Sequence, residues 1–166
     1  FNHQHGQTFT VPEGFFPKTG ARIKSLQDPL KKMDKSDDNP KGYVLLLDDL
    51  NTVRNKIKSA VTDSEASIYY DPKHKPGISN LLSIYASLKE MDVKDVEAKF
   101  KHSNYKDFKL EVADVVLDTL RPIQEKYQKL IKDPYLDDVL TEGAKKAQLI
   151  AYKKMAKVKK KMGLGR

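Results

Sequence analysis

A mainly α fold is predicted for this chain: a helical bundle preceded by a turn-rich segment of loops and short strands. Three observations carry that prediction. Apolar residues recur at steps of three and four from Leu50 to the end, proline and glycine crowd the segment before Tyr43, and 166 residues with 39% apolar side chains suffice for one main core.

In residues 1–42, Gly6, Pro12, Gly14, Pro17, Gly20, Pro29, Pro40 and Gly42 break every apolar run, which leaves room for short elements only. Residues 8–11 and 21–26 are the strand candidates. From Leu50 the spacing of Val53, Ile57, Ala60 and Val61 predicts a helix with Asp48 or Asp49 as its N-cap. Residues 62–75 lose the periodicity, and Ile78, Leu81, Leu82, Tyr85 and Leu88 resume it after the Pro76-Gly77 turn. Asp92, followed by Asp95, predicts the start of a short helix that turns Val93, Val96 and Phe100 inward. Phe108, Val112, Val115, Val116, Thr119, Leu120, Ile123, Tyr127 and Leu130 then form one broad stripe on a long helix, which Pro122 should kink by removing an amide donor. Asp133-Pro134 predicts a stop and restart, with Asp133 as N-cap and Pro134 in the first helical position. The last helix repeats Leu136, Val139, Leu140, Ala147, Ile150, Ala151, Met155, Val158 and Met162, with acids near its start and lysines near its end, as the helix dipole favours. The expectation is five helices packed through these stripes.

Composition narrows the function. With no cysteine, neither a disulfide framework nor a thiolate metal site can form, and four scattered histidines offer little else; His3 and His5 lack further ligands. No apolar run is long enough to span a bilayer and no export signal opens the chain, so a cytoplasmic protein is expected. A first residue of Phe1 suggests a mature form or a piece of a longer protein. The net charge of +8 is concentrated at the end: after Glu142 come Lys145, Lys146, Lys153, Lys154, Lys157, Lys159, Lys160, Lys161 and Arg166, without an acid. The run from Lys153 to Lys161 reads either as a solvated helix face or as a contact for the phosphates of a polyanion, whose counterions it would release. The pairs Asp37-Asp38, Asp48-Asp49 and Asp137-Asp138 lie at turns and helix starts, where caps and solvated charges explain them better than acid and base catalysis does. Ser25 and Ser36 lack a nucleophile elbow. Tyr69 and Tyr70 are expected to pack against helices.

The segment most informative about chemistry is Lys32-Met33-Asp34-Lys35-Ser36. Taken alone, two lysines flanking a methionine in a turn describe a solvated loop. Their spacing equally lets Lys32 and Lys35 grip one polyphosphate while Ser36 and loop amides donate to its oxygens.

The wider context favours the second reading. Residues 32–36 resemble the KMSKS loop of class I aminoacyl-tRNA synthetases. The blocks Gly-Ala-Arg-Ile at 20–23, Ser-Leu-Gln-Asp-Pro at 25–29, Lys-Ser-Ala-Val-Thr-Asp-Ser at 58–64, Lys-Pro-Gly-Ile-Ser-Asn-Leu-Leu at 75–82, Leu-Arg-Pro-Ile-Gln-Glu at 120–125 and the ending from Met162 to Arg166 are similar to bacterial tryptophanyl-tRNA synthetases, in that family's order. The resemblance implies that residues 1–48 are the end of a Rossmann-like catalytic domain, a short α/β remnant carrying the KMSKS-type loop, and that residues 49–166 are a helical region of the anticodon-binding type. It implies ATP-dependent activation of L-tryptophan and transfer to tRNA(Trp), with Mg²⁺ accompanying ATP. Lys32 and Lys35 would be the catalytic pair holding the triphosphate, Lys35 stabilising charge on the departing pyrophosphate; Ile23 and Met33 would contact adenine, and Asp34 and Ser36 would complete the nucleotide-binding loop. The full-length parent would be a homodimer in which a missing amino-terminal half binds L-tryptophan, whereas this piece would be monomeric and inactive alone.

Two departures stand out. Asp34 occupies the position where the family pattern has serine. A carboxylate about 4 Å from a phosphate oxygen would meet roughly 4 kcal/mol of unscreened repulsion at an effective dielectric near 20, unless Asp34 turns outward or ligates Mg²⁺. The HIGH-type motif and the tryptophan pocket are absent, and His3-Gln4-His5-Gly6 lacks the preceding strand that such a motif needs. The alternative is a non-catalytic helical protein that binds tRNA or another RNA.

Overall fold

The computed structural model describes residues 1–16 and 22–164. Six helices follow in order: α1 (Asn2–His5), α2 (Leu50–Lys58), α3 (Pro76–Lys89), α4 (Val93–Phe100), α5 (Tyr105–Leu130) and α6 (Tyr135–Lys161). Among the described residues the only β-type pairing is an isolated antiparallel bridge between Lys24 and Lys32. The chain divides into two compact units, Phe16–Lys126 and a smaller one combining Phe1–Phe15 with Tyr127–Arg166.

The mainly α expectation holds, and the predicted caps explain where helices start. The Asp49 carboxylate accepts the Thr52 amide at the head of α2, and Asp92 accepts the Lys94 amide at the head of α4. In α3, Pro76 sits in the first turn, where its missing amide costs nothing. The predicted stripes on α2–α5 supply the core of the larger unit: Val53 and Ile57, Ile78, Leu81, Leu82 and Tyr85, Val96 and Phe100, then Phe108, Val112, Val115 and Leu120 are buried. Phe100 stands edge-on to both Tyr85 and Phe108, with centroids 5.2 and 4.9 Å away. Burial of each such side chain contributes about 1.5–3 kcal/mol. Polar ties reinforce the packing: Arg54 pairs with Asp114 at 2.6 Å, and Lys109 donates to the Ala60 carbonyl at 2.7 Å.

Several expectations need correction. Neither strand candidate becomes a strand. The Thr8 and Phe9 amides both donate to Asn2 Oδ1, so a side chain takes the donors that a sheet would use. In the other candidate, Ala21 lies outside the described residues, the Lys24 amide goes to α3, and the Leu26 amide goes to the Gly42 carbonyl. As expected, Pro122 lies inside α5, which runs unbroken from Tyr105 to Leu130. Helix α6 starts at Tyr135, one residue later than predicted, with the Asp133 carboxylate accepting the Tyr135 amide. Five helices do not pack through their stripes: of those on α6 only Val158 is buried, while Leu136, Val139, Leu140, Ile150, Met155 and Met162 are exposed. Val61, Leu88, Ile123, Tyr127 and Leu130 are exposed as well. Helical spacing survives at Leu88, Ile123, Tyr127 and Leu130, whereas α2 ends at Lys58 and leaves Val61 beyond it.

In the smaller unit, two lysines of the basic run do local work. Lys154 Nζ donates to the Thr8 carbonyl at 2.7 Å, and Lys161 Nζ donates to the Gln7 carbonyl at 2.9 Å, so the leading segment is hooked to α6. Phe1 lies 4.7 Å from the His5 ring, which places His5 in an aromatic contact.

The aperiodic segment before α3 is fixed by a buried cation. Lys75 is 1% exposed and donates to Asp63 Oδ1 at 2.7 Å and Glu65 Oε2 at 2.8 Å. Tyr105 Oη donates to the same Asp63 oxygen at 2.6 Å, and the Tyr69 ring lies 4.8 Å from the ammonium. Burial alone would raise the Asp63 carboxyl, yet the hydrogen bonds from Lys75 and Tyr105 outweigh it and hold the group below its ordinary 3.8. Burial would likewise lower Lys75, and its two carboxylate partners reverse that, moving it upward.

Close approach of backbones completes the arrangement. A Cβ on Gly77 would stand 2.1 Å from the Val61 carbonyl oxygen, and the Val61 amide in turn donates to the Leu26 carbonyl at 2.7 Å. Only glycine lets α3 lie so near the residue that anchors Leu26. Gly77→Ala is therefore expected to lower stability by at least about 2 kcal/mol, read as a fall in thermal midpoint; an unchanged midpoint would refute the close approach. Lys75→Met should cost about 3 kcal/mol in urea unfolding near neutral pH, because it strands the Asp63 carboxylate. Since the folded Asp63 value is depressed, its contribution is present above the unfolded value of 3.8 and is lost as pH falls through the lower folded value. The wild-type chain should lose stability on that acid limb, and the limb should flatten in Lys75→Met.

Candidate functional site

Residues 23–42 form a loop on a short stem. The Ser25 amide donates to the Lys31 carbonyl at 3.0 Å, and the Met33 amide donates to the Ile23 carbonyl at 3.0 Å. Lys24 and Lys32 are thereby opposed as a non-hydrogen-bonded antiparallel pair. Inside the turn, buried Ser25 accepts the Gln27 and Asp28 amides on Oγ, each at 3.3 Å, and Lys31 pairs with Asp28 at 3.2 Å. Gly42 closes the far end. Its amide donates to the Asn39 carbonyl, its carbonyl accepts from Leu26, and a Cβ there would come within 2.7 Å of Ser25 Oγ.

Between stem and closure the chain is held by short polar side chains. Asp34 Oδ1 accepts the Ser36 amide at 2.9 Å, Asp37 Oδ1 accepts the Asn39 amide at 2.9 Å, and Asn39 Oδ1 accepts the Lys41 amide at 3.1 Å. These successive Asx turns give residues 34–41 a defined path without regular structure. Asp34 thus acts as a turn former whose carboxylate engages its own loop, and the Ser36 amide is already committed to it.

The six residues singled out from the sequence separate into two groups. Lys32, Asp34, Lys35 and Ser36 are exposed, and no salt bridge to Lys32 or Lys35 forms among the described residues. Two ammonium groups therefore stand on one exposed loop. Ile23 and Met33 instead line an apolar cavity of about 280 Å³ with Leu26, Val44, Ile57, Ile84, Leu88 and Val116; Met33 also packs on the main core. One polar atom in that wall, Ser87 Oγ, is buried without a hydrogen-bond partner. No cluster of three or more His, Asp or Glu side chains suited to a metal occurs among the described residues.

Sequence reasoning missed three supports of the loop: Ser25, Gly42 and Asn80. Asn80 is 5% exposed and bonds Lys24 through both ends of its amide. An asparagine among the apolar positions Ile78, Leu81 and Leu82 was the available signal, because a buried amide must find partners. Behind the loop, Lys56 and Asp48 form a half-buried pair at 2.7 Å, and Gln124 on α5 donates to the Leu46 and Asp48 carbonyls at 2.9 Å. Tyr69 lies against the Lys75 ammonium, whereas Tyr70 is exposed and its amide donates to Glu97 of α4.

The family described as tRNA synthetases class I (W and Y) matches residues 1–121. Tryptophan-tRNA ligase of Oceanobacillus iheyensis is 52% identical over all of this chain and 51% of its own length; that of Halalkalibacterium halodurans is 51% identical over all of this chain and 50% of its own. The chain spans about half the length of the curated relatives it matches, and corresponds to their carboxy-terminal half. Among solved structures, tryptophanyl-tRNA synthetase from Mycoplasma pneumoniae superposes with a TM-score of 0.89 at 30% identity, over 99% of this chain and 50% of that one. The Campylobacter jejuni enzyme complexed with ADP and tryptophan gives 0.64 at 29% identity, over 98% of this chain and 50% of that one. The loop, its helical support and these likenesses place the chain in the class I tRNA synthetases of the tryptophan and tyrosine type.

Proposed function

We propose that this chain is the carboxy-terminal part of a tryptophan-tRNA ligase, in which the loop from Lys32 to Ser36 receives the triphosphate of ATP. The observation that carries this reading is the pair of exposed ammonium groups, with no salt bridge among the described residues, on one tethered loop, in a chain whose relatives at about 50% identity are tryptophan-tRNA ligases. In the proposed reaction ATP and L-tryptophan give tryptophanyl-adenylate and pyrophosphate, and the activated amino acid then passes to tRNA(Trp). Lys32 and Lys35 hold the triphosphate, and Lys35 stabilises the charge that develops on the departing pyrophosphate. Mg²⁺ enters with the nucleotide. Residues 1–48 belong to the catalytic domain and residues 49–166 to the helical tRNA-binding region; L-tryptophan is bound by the amino-terminal half of the full-length parent, a cytoplasmic homodimer. No described helix is long and apolar enough to cross a membrane.

An adenine contact by Ile23 and Met33 belongs to the same proposal, with a condition attached. Both side chains line the apolar cavity in this conformation, so Met33 must leave it, or present its other edge, when nucleotide binds. The rival, a non-catalytic RNA-binding protein, draws on the exposed lysines Lys153, Lys157, Lys159 and Lys160 of α6. The two readings part on chemistry.

The chain alone is expected to give no tryptophan-dependent pyrophosphate exchange. Supplied with the amino-terminal half of a close relative it should give exchange, which Lys32→Ala or Lys35→Ala should depress by about a hundredfold or more, about 2.7 kcal/mol of transition-state stabilisation. Exchange that ignores both lysines would refute the loop assignment. Asp34→Ser should tighten ATP three- to tenfold. It removes a screened negative charge beside the phosphates, while the serine hydroxyl can still accept the Ser36 amide. Equal or weaker affinity by calorimetry would count against a phosphate site at this loop.

A further inference from the structure

A two-rung ladder leaves half of its hydrogen-bonding groups facing outward. In the pair formed by Lys24 and Lys32, the flanking bonds run from Ser25 to Lys31 and from Met33 to Ile23. The amide and carbonyl of Lys24 therefore point away from Lys32, where a full sheet would place another strand. Helix α3 stands there instead. Asn80 Oδ1 accepts the Lys24 amide at 2.8 Å, and Asn80 Nδ2 donates to the Lys24 carbonyl at 2.9 Å.

We infer that Asn80 is a positioning residue for the nucleotide loop: its carboxamide replaces a neighbouring strand at Lys24 and so fixes where Lys32 is presented. The inference rests on the loop reading proposed above. An asparagine side chain offers one acceptor and two donors at a spacing that matches a backbone edge. Aspartate keeps the acceptor but sets an oxygen against the Lys24 carbonyl. Serine can satisfy one group, not both, and glutamine carries the same groups one methylene too far. Asn80 itself is fixed, since α3 starts at buried Lys75 and Ser79 Oγ accepts the Asp71 amide at 2.9 Å. The support thus comes from a helix in the main core, remote in sequence from the loop and touching no reacting atom.

The test uses the 166-residue chain, Asn80→Asp and Asn80→Ser, all studied below their unfolding midpoints with circular dichroism confirming the fold. Amide hydrogen exchange is read by NMR at Ser25 and Met33 in the stem and at Val53 and Leu81 in the core. Exchange at Ser25 and Met33 should rise about tenfold or more in Asn80→Asp and less in Asn80→Ser, with Val53 and Leu81 unchanged. ATP·Mg²⁺ affinity, followed through the Met33 amide, should fall about tenfold in Asn80→Asp, and Lys32→Ala/Lys35→Ala should abolish it. Stem exchange that does not rise relative to the core overturns the inference whatever ATP does. So does a selective rise in exchange with ATP affinity unchanged, which would make Asn80 merely structural. ATP binding that survives loss of both lysines, or no response of the wild-type chain at millimolar ATP, defeats the loop reading instead and the inference with it.

Discussion

Residues 23–42 must satisfy their backbone without a sheet, and everything distinctive about the larger unit follows from how that is done. A two-rung ladder pairs only half of its polar groups, and buried amides left unpaired cost about 1–3 kcal/mol each. Helix α3 supplies the missing partner through Asn80, Val61 supplies another through its amide to Leu26, and Gly77 permits the approach that brings Val61 there. Beyond the stem, Asp34, Asp37 and Asn39 take over with side-chain oxygens, one turn at a time. The outcome is a loop with a hydrogen-bonded stem, on which Lys32 faces solvent opposite Lys24, with Lys35 exposed just beyond it.

Lysines show how little net charge says about role. Lys75 is sealed among Asp63, Glu65, Tyr69 and Tyr105 and ties the segment before α3 to the start of α5. Lys154 and Lys161 spend their charge on backbone carbonyls of the leading segment. Lys32 and Lys35 have no such ties among the described residues.

The apolar surface is apportioned just as unevenly. Helices α2–α5 bury their stripes within the larger unit, whereas α6 keeps nearly all of its stripe exposed. Ile23 and Met33 sit between these extremes, at the wall of a cavity shared with α2, α3 and α5. The chain belongs to the class I tRNA synthetases of the tryptophan and tyrosine type.

What the sequence by itself determined was local or cumulative. Helix starts at Asp49 and Asp92 were legible because a cap needs only a carboxylate two or three residues ahead of a free amide. The family was legible because several blocks in one order specify a family far better than periodicity specifies a fold. Only the tertiary structure decided which stripes are covered, that the strand candidates give their amides to Asn2 and Asn80, that Asp34 folds back on Ser36, and that Lys75 is buried. Each of those outcomes depends on a group brought near in space by the rest of the fold; spacing along the chain records which face a residue occupies but not what stands opposite it.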